Sequence, residues 1–247
     1  MKILEVLLVS FLAFGGGFIG SVMSGGSLIT LFILSFLGVP TKVAIGTLKL
    51  VIAGLTLVST ITYFKRGIVD AKLALSLTIS SLFGAFLGSL FFLSIPENLA
   101  NIIVASLLLV GMYFMIKQRP SQKEPKLESR VWQVIIGFLI GVYISILGIA
   151  STLIIISTLL LFFKLDILRA NGTAKMIIFF NNLVATINYA LAGNVNYSVG
   201  ILILIPVLFG SWLGARTALE IGKEKLKAIF IFMTILTIMK LVWDALL

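Results

Sequence analysis

Cysteine and histidine do not occur among the 247 residues. Their absence excludes disulfides, thiolate nucleophiles, histidine-ligated metal and Ser-His triads, and neither a metal nor another cofactor is expected. Charge is scarce too. Charged residues make up 11% of the chain, against roughly 25% in an average soluble domain. The acidic residues are only nine: Glu5, Asp70, Glu97, Glu124, Glu128, Asp166, Glu220, Glu224 and Asp244. All lie in or near loops and termini. A membrane enzyme working on a lipid or isoprenoid would want paired carboxylates, histidine or a metal inside the apolar runs, so the chain is not read as an enzyme.

What is abundant is apolar. Hydrophobic residues are 60% of the sequence and mean hydropathy is +1.20. Several runs reach the roughly 20 residues a helix needs to cross about 30 Å of hydrocarbon, and no ten-residue alternation suggests a barrel. The chain reads as an all-α polytopic protein whose first partner is a lipid bilayer. Its 19 Lys and Arg residues, giving a net charge of +10, sit mostly in short loops, where they orient a membrane protein. A nucleic-acid footprint would instead cover one solvent face, so no nucleic-acid partner is expected. The single Lys2 and the Gly15 to Gly17 triplet lack a small-x-small cleavage pattern, which predicts a retained first helix.

Residues 3 to 37 are apolar but too long for one crossing, and they are interrupted at Gly15-Gly16-Gly17 and at Ser24-Gly25-Gly26-Ser27. The pattern predicts a spanning helix followed by a half-length one. Such a break at membrane depth is tolerated only where the freed backbone is buried in protein or lines a cavity. Further helices are predicted from about Val43 to Phe64, to about Leu93, and over Leu99 to Ile116. The stretch KQRPSQKEPKLESR, 117 to 130, is the only sustained polar segment. It separates residues 1–116 from residues 131–247, two repeats of about five helical segments each.

The duplication is legible directly. At an offset of 126 the 25 positions from Gly46 to Asp70 match their partners at 11, including Gly46/Gly172, Thr47/Thr173, Lys49/Lys175, Tyr63/Tyr189 and Gly67/Gly193. Gly84 and Gly88 recur as Gly210 and Gly214, and upstream the register shifts by two, setting the first break against Gly148-Ile149-Ala150-Ser151. The loop at Lys65, Arg66 and Lys72 is basic while its twin near Ala192 to Ser198 is not. The next loop reverses this, with Arg216, Lys223, Lys225 and Lys227 only in the second copy. By the positive-inside rule the repeats have inverted topology, with the linker cytoplasmic. Fourteen of the 19 basic residues then fall inside, counting loop 65 to 72, the linker, Lys164, Arg169 and 216 to 227. Lys2, Lys42 and Lys240 fall outside and Lys49 and Lys175 lie within, and Lys2 runs against the rule.

G-T-L-K at Gly46 to Lys49 and G-T-A-K at Gly172 to Lys175 each place an amine about six or seven residues into a predicted helix. A lysine at a helix centre costs about 2.5 to 3.5 kcal/mol on insertion scales, which marks it as a candidate site residue. Inversion would bring both amines toward the midplane from opposite faces, where a small anion could rest between them. Gly46, Thr47, Gly172 and Thr173 add early-helix amides and hydroxyls. The breaks at Ser24, Gly25, Gly26 and Ser27 and at Ser151 add half-helix donors, and Asn181, Asn182 and Asn188 are further polar candidates. With no mid-membrane carboxylate, coupling would fall to the substrate's own proton, a desolvated lysine or the membrane potential. An anion channel, a carrier of another small organic or inorganic anion, and a homo-oligomer all stay open.

The order of motifs resembles the sulfite exporter TauE/SafE family. These are the glycine-rich break, the Leu37-Gly38-Val39-Pro40 turn, the Ala-x-Gly-Thr of Ala44 to Thr47, the Gly-x-Val-Asp of Gly67 to Asp70 and the Gly-Ala-x-x-Gly of Gly84 to Gly88. The second copies depart at Ile149-Ala150-Ser151 and at Gly193-Asn194-Val195-Asn196. The resemblance implies a multi-pass plasma-membrane transporter, most simply an exporter, of small sulfur-containing anions such as sulfite or organosulfonates.

Overall fold

The computed structural model describes residues 3–22, 25–96, 129–146 and 151–221, with the single positions 99, 103, 148 and 225. Ser24, Ile149, Ala150, the helix expected over 99 to 116 as a whole, most of the linker and nearly all of the chain beyond 221 lie outside the described residues. Eight helices are described: α1 (Ile3–Val22), α2 (Gly26–Phe36), α3 (Thr41–Phe64), α4 (Ala71–Ser94), α5 (Arg130–Ile146), α6 (Ser151–Phe163), α7 (Ile167–Leu191) and α8 (Tyr197–Glu220). Five of them, α1, α3, α4, α7 and α8, are long and apolar enough to cross a membrane. The outer surface is studded with exposed Phe11, Phe83, Phe209 and Trp212. An exterior that apolar requires lipid as its solvent. The chain is an all-helical polytopic membrane protein.

The expected interruption at Gly15-Gly16-Gly17 does not occur, because α1 runs through it unbroken. The reason is packing. A Cβ at Gly17 would lie 2.3 Å from the Val207 carbonyl oxygen of α8, and one at Gly16 3.1 Å from Ile29 of α2. The triplet is therefore a close-approach face of the kind small residues make between membrane helices. The true break falls at Gly25, whose φ of 111° is open to glycine and strained for other residues. Beyond it α2 doubles back, with Gly26 against Gly20 and Ile29 against Gly16, so α1 and α2 form a helical hairpin.

Loop chemistry sets the other boundaries. Asp70 caps α4 by accepting from the Leu73 amide at 3.1 Å, and Asn196 caps α8 by accepting from Val199 at 3.1 Å. The change from Asp to Asn thus keeps the cap, since either side chain offers an oxygen to the free N–H groups of the first turn. Asp166 does the same for α7 through the Leu168 and Arg169 amides.

Packing between the halves is reciprocal. Helix α4 lies along α5 and α8 along α1, while α3 lies along α7. Glycines mediate both outer pairs: Gly84 meets the Phe138 carbonyl and Gly210 meets that of Phe14. In the central pair Gly46, near the start of α3, abuts Tyr189 and Asn194 at the end of α7. Gly172, near the start of α7, abuts Tyr63 and Ile68 at the end of α3. Helices α3 and α7 therefore run antiparallel, each presenting to the other what it receives. Arg169 also pairs with Asp70 at 3.6 Å, placing the basic loop before α7 beside the one after α3.

Candidate functional site

Ending a helix inside hydrocarbon leaves its last carbonyls without partners. At the end of α1 three consecutive carbonyls are claimed by side chains from other helices. Lys175 Nζ donates to Gly20 O at 2.5 Å, Tyr63 Oη to Ser21 O at 3.0 Å, and Asn171 Nδ2 to Val22 O at 2.8 Å. Asn171 also donates to Tyr63 Oη at 3.0 Å. The end of α5 repeats the arrangement, with Lys49 Nζ donating to Ile144 O at 2.5 Å and Tyr189 Oη to Ser145 O at 3.4 Å. A cation on terminal helix carbonyls is favoured by both hydrogen bonding and the helix dipole. Lys49 is 1% exposed and Lys175 0%, so both amines are held in the interior and neither snorkels to an interface.

Between the two capped ends lies a small cavity of about 20 Å³. Gly25, Gly26 and Ser27 reach it from the start of α2, and Gly148, Ser151 and Thr152 from the start of α6; Gly20, Ile52, Leu55 and Thr56 complete the wall. Ile52 to Thr56 mark the middle of α3 (Thr41–Phe64), so the cavity sits about halfway along the helix. Two half-helix N-termini, one from each half, meet there. Their amides and partial positive charge suit an anion. The lysines stand immediately behind this wall: Lys175 is bonded to Gly20, and Lys49 Nζ is 3.0 Å from where a Gly148 Cβ would be.

The other sequence candidates are placed elsewhere. Thr47 Oγ1 accepts from the Asn196 amide at 2.9 Å, and Thr173 Oγ1 accepts from Asp70 at 3.0 Å. With Gly46 and Gly172 they form the two ends of the α3–α7 crossing. Asn181 donates to Ser81 Oγ at 2.8 Å, Asn188 donates to Ser89 Oγ at 2.7 Å, and Asn182 donates to Ile178 O at 2.8 Å. The first two join α7 to α4, and none of the three is in the cavity wall. Ser24 lies outside the described residues.

Thr56, Gly148 and Thr152 are wall residues that sequence reasoning did not single out as site residues, and Asn171 was not singled out at all. A signal for Thr56 existed: it lies seven positions after Lys49, on the same helix face, and its twin at offset 126 is Asn182. Ser21, Ser59 and Ser211 form a buried hydroxyl cluster joining α1, α3 and α8, with Ser21 and Ser59 oxygens 2.5 Å apart. No pattern in one sequence distinguishes such serines from packing residues.

Apolar helices long enough to span a membrane, with two short-helix N-termini from the two halves meeting at one point, are the architecture of a polytopic membrane protein with an internal site. The chain belongs to the sulfite exporter TauE/SafE family, whose model matches residues 9–241. It is 28% identical over 252 residues to "Probable membrane transporter protein ORF9" of Sinorhizobium sp, covering 99% of this chain and 96% of that one. It is 25% identical to a "Probable membrane transporter protein" of Haemophilus influenzae over 98% of this chain and 96% of the relative. Against "Probable membrane transporter protein YfcA" of Escherichia coli strain K12 it is 24% identical, over 95% and 88% of the two chains. No solved structure matches the chain.

Proposed function

We propose that this protein exports small sulfur-containing anions, such as sulfite or organosulfonates, across the plasma membrane by alternating access between two inverted halves, without enzymatic chemistry. The observation that carries the reading is the meeting of the α2 and α6 N-termini at one small cavity, with a lysine amine behind each wall. Helix dipoles and two cations favour negative charge there, and the wall hydroxyls of Ser27, Ser151, Thr56 and Thr152 can donate to oxyanion oxygens. Inversion is supported by the antiparallel α3–α7 pair and its reciprocal contacts. The Arg169–Asp70 contact supports a single basic end, facing the cytoplasm with the linker.

A cavity of about 20 Å³ has room for a water and little more. An oxyanion is admitted only when the two helix N-termini part, which is what alternating access requires. Purified protein in liposomes should show saturable flux of radiolabelled sulfite, accelerated by sulfite on the far side. A Lys49→Ala, Lys175→Ala double variant should lose it. Equal flux in the double variant removes the lysines from the mechanism. Flux without acceleration from the far side indicates a channel, and no flux of any sulfur oxyanion above empty liposomes rejects the substrate class.

A further inference from the structure

The cap geometry contains an exchange between halves. Lys175 belongs to α7, yet its amine holds Gly20 at the tip where α1 ends before α2; Lys49 belongs to α3, yet its amine holds Ile144 at the tip where α5 ends before α6. Upstream of the breaks the repeat offset is 124, so Gly20 and Ile144 are equivalent positions. Each tyrosine, by contrast, stays within its own half, Tyr63 on Ser21 and Tyr189 on Ser145. The two cations are thus cross-connections while the two phenols are internal ones.

We propose that Lys49 and Lys175 are positioning residues, each fixing the opposite half's tip and so setting where that tip's helix N-terminus stands at the cavity. The proposal rests on the transport reading for its purpose, but its geometry is independent of it. Gly20 ends one side of the cavity wall and Gly148 the other. Moving either tip therefore requires breaking a bond to the other half, and the halves cannot rearrange separately. An anion arriving at the wall offers the ammonium an ionised acceptor in place of a neutral carbonyl, which adds charge–charge attraction to the hydrogen bond. Release of the carbonyl then frees the tip at the moment the site is filled.

The chain has no cysteine, so a single introduced thiol reports without background. Ser27→Cys marks the α2 tip and Ser151→Cys the α6 tip. In liposomes, labelling by a water-soluble methanethiosulfonate reagent should be crossed. Lys175→Met should speed modification of Ser27→Cys about tenfold, the population change expected from losing one hydrogen bond to a charged group. The same substitution should leave Ser151→Cys near its starting rate. Lys49→Met should do the reverse, and Lys→Arg at either position should restore the slow rate. Both reporters accelerating together in each variant, or each lysine affecting its own half's tip, overturns the proposal. Where a Met variant does not fold, Lys→Gln keeps a donor and should give the same crossed pattern at smaller amplitude; equal changes at both reporters there overturn it as well. Sulfite flux measured on wild-type liposomes prepared alongside separates the two readings: crossed labelling with no wild-type flux refutes the transport reading alone, and wild-type flux with uncrossed labelling refutes the cross-connection alone.

Discussion

The Thr47 hydroxyl oxygen accepts the main-chain N–H of Asn196 at 2.9 Å while donating to Val43 O at 2.7 Å. Thr173 accepts the amide of Asp70, the position equivalent to Asn196, at 3.0 Å. Each threonine thus holds the loop leading into the other half's next helix. Thr47→Val keeps the shape and leaves the Asn196 amide without its acceptor, at a cost of about 1 to 3 kcal/mol. Thermal unfolding in detergent should show a lowered midpoint for Thr47→Val and for Thr173→Val, with Thr47→Ser close to wild type.

The two glycines preceding these threonines should not tolerate alanine equally. A Cβ at Gly46 would lie 1.9 Å from the Asn194 carbonyl oxygen, which is main chain and cannot step aside. At Gly172 the nearest atoms are side-chain carbons of Ile68 and Tyr63 at 3.3 Å. Gly46→Ala should fail to yield a monodisperse protein. Gly172→Ala should fold, within about 1 kcal/mol of wild type, the scale of a mild overpacking.

Much of this arrangement was legible in the sequence. Hydropathy and the repeat revealed the helices, the half-length segments after Gly25 and Gly148, the buried lysines and the basic loops that meet at Asp70 and Arg169. Periodicity could not tell what each lysine touches, because its acceptors are carbonyls, which every residue has. It also could not tell a glycine that breaks a helix from one that packs it. Gly15 to Gly17 and Gly25 to Gly26 look alike until Val207 of α8 is seen against the first set. The threonines looked like anion donors because an early-helix hydroxyl is the same in sequence whether it faces a cavity or a loop amide.

The repeat also exposes a strained residue. Gly38 ends α2 with φ 69°, and its counterpart at offset 126, Lys164 after α6, holds φ 54°. A turn that suits glycine has been kept with a side chain that does not. Left-handed backbone costs a residue with a Cβ roughly 1 to 2 kcal/mol. Lys164→Gly should therefore raise the unfolding midpoint, by somewhat less than that relief because glycine also gains freedom in the unfolded chain. An unchanged or lowered midpoint would show that Lys164 makes up the strain through contacts of its own.

The two tyrosine caps differ in how much depends on them. Tyr63 Oη donates to Ser21 O at 3.0 Å and accepts from Asn171 Nδ2, whereas Tyr189 Oη makes one longer contact, 3.4 Å to Ser145 O, and the position equivalent to Asn171 is Ile45. Tyr63→Phe leaves a buried carbonyl at the α1 tip unsatisfied and removes one of the two acceptors of Asn171, a loss of about 1 to 3 kcal/mol. Tyr189→Phe gives up a bond already at the outer limit of hydrogen-bond length and should cost well under half as much. The same order should appear in sulfite flux, with Tyr63→Phe the slower transporter, because the tip it supports carries Gly25, Gly26 and Ser27 into the cavity wall. If Tyr189→Phe were the more damaging in both measurements, the α5–α6 tip would be the one that governs the site.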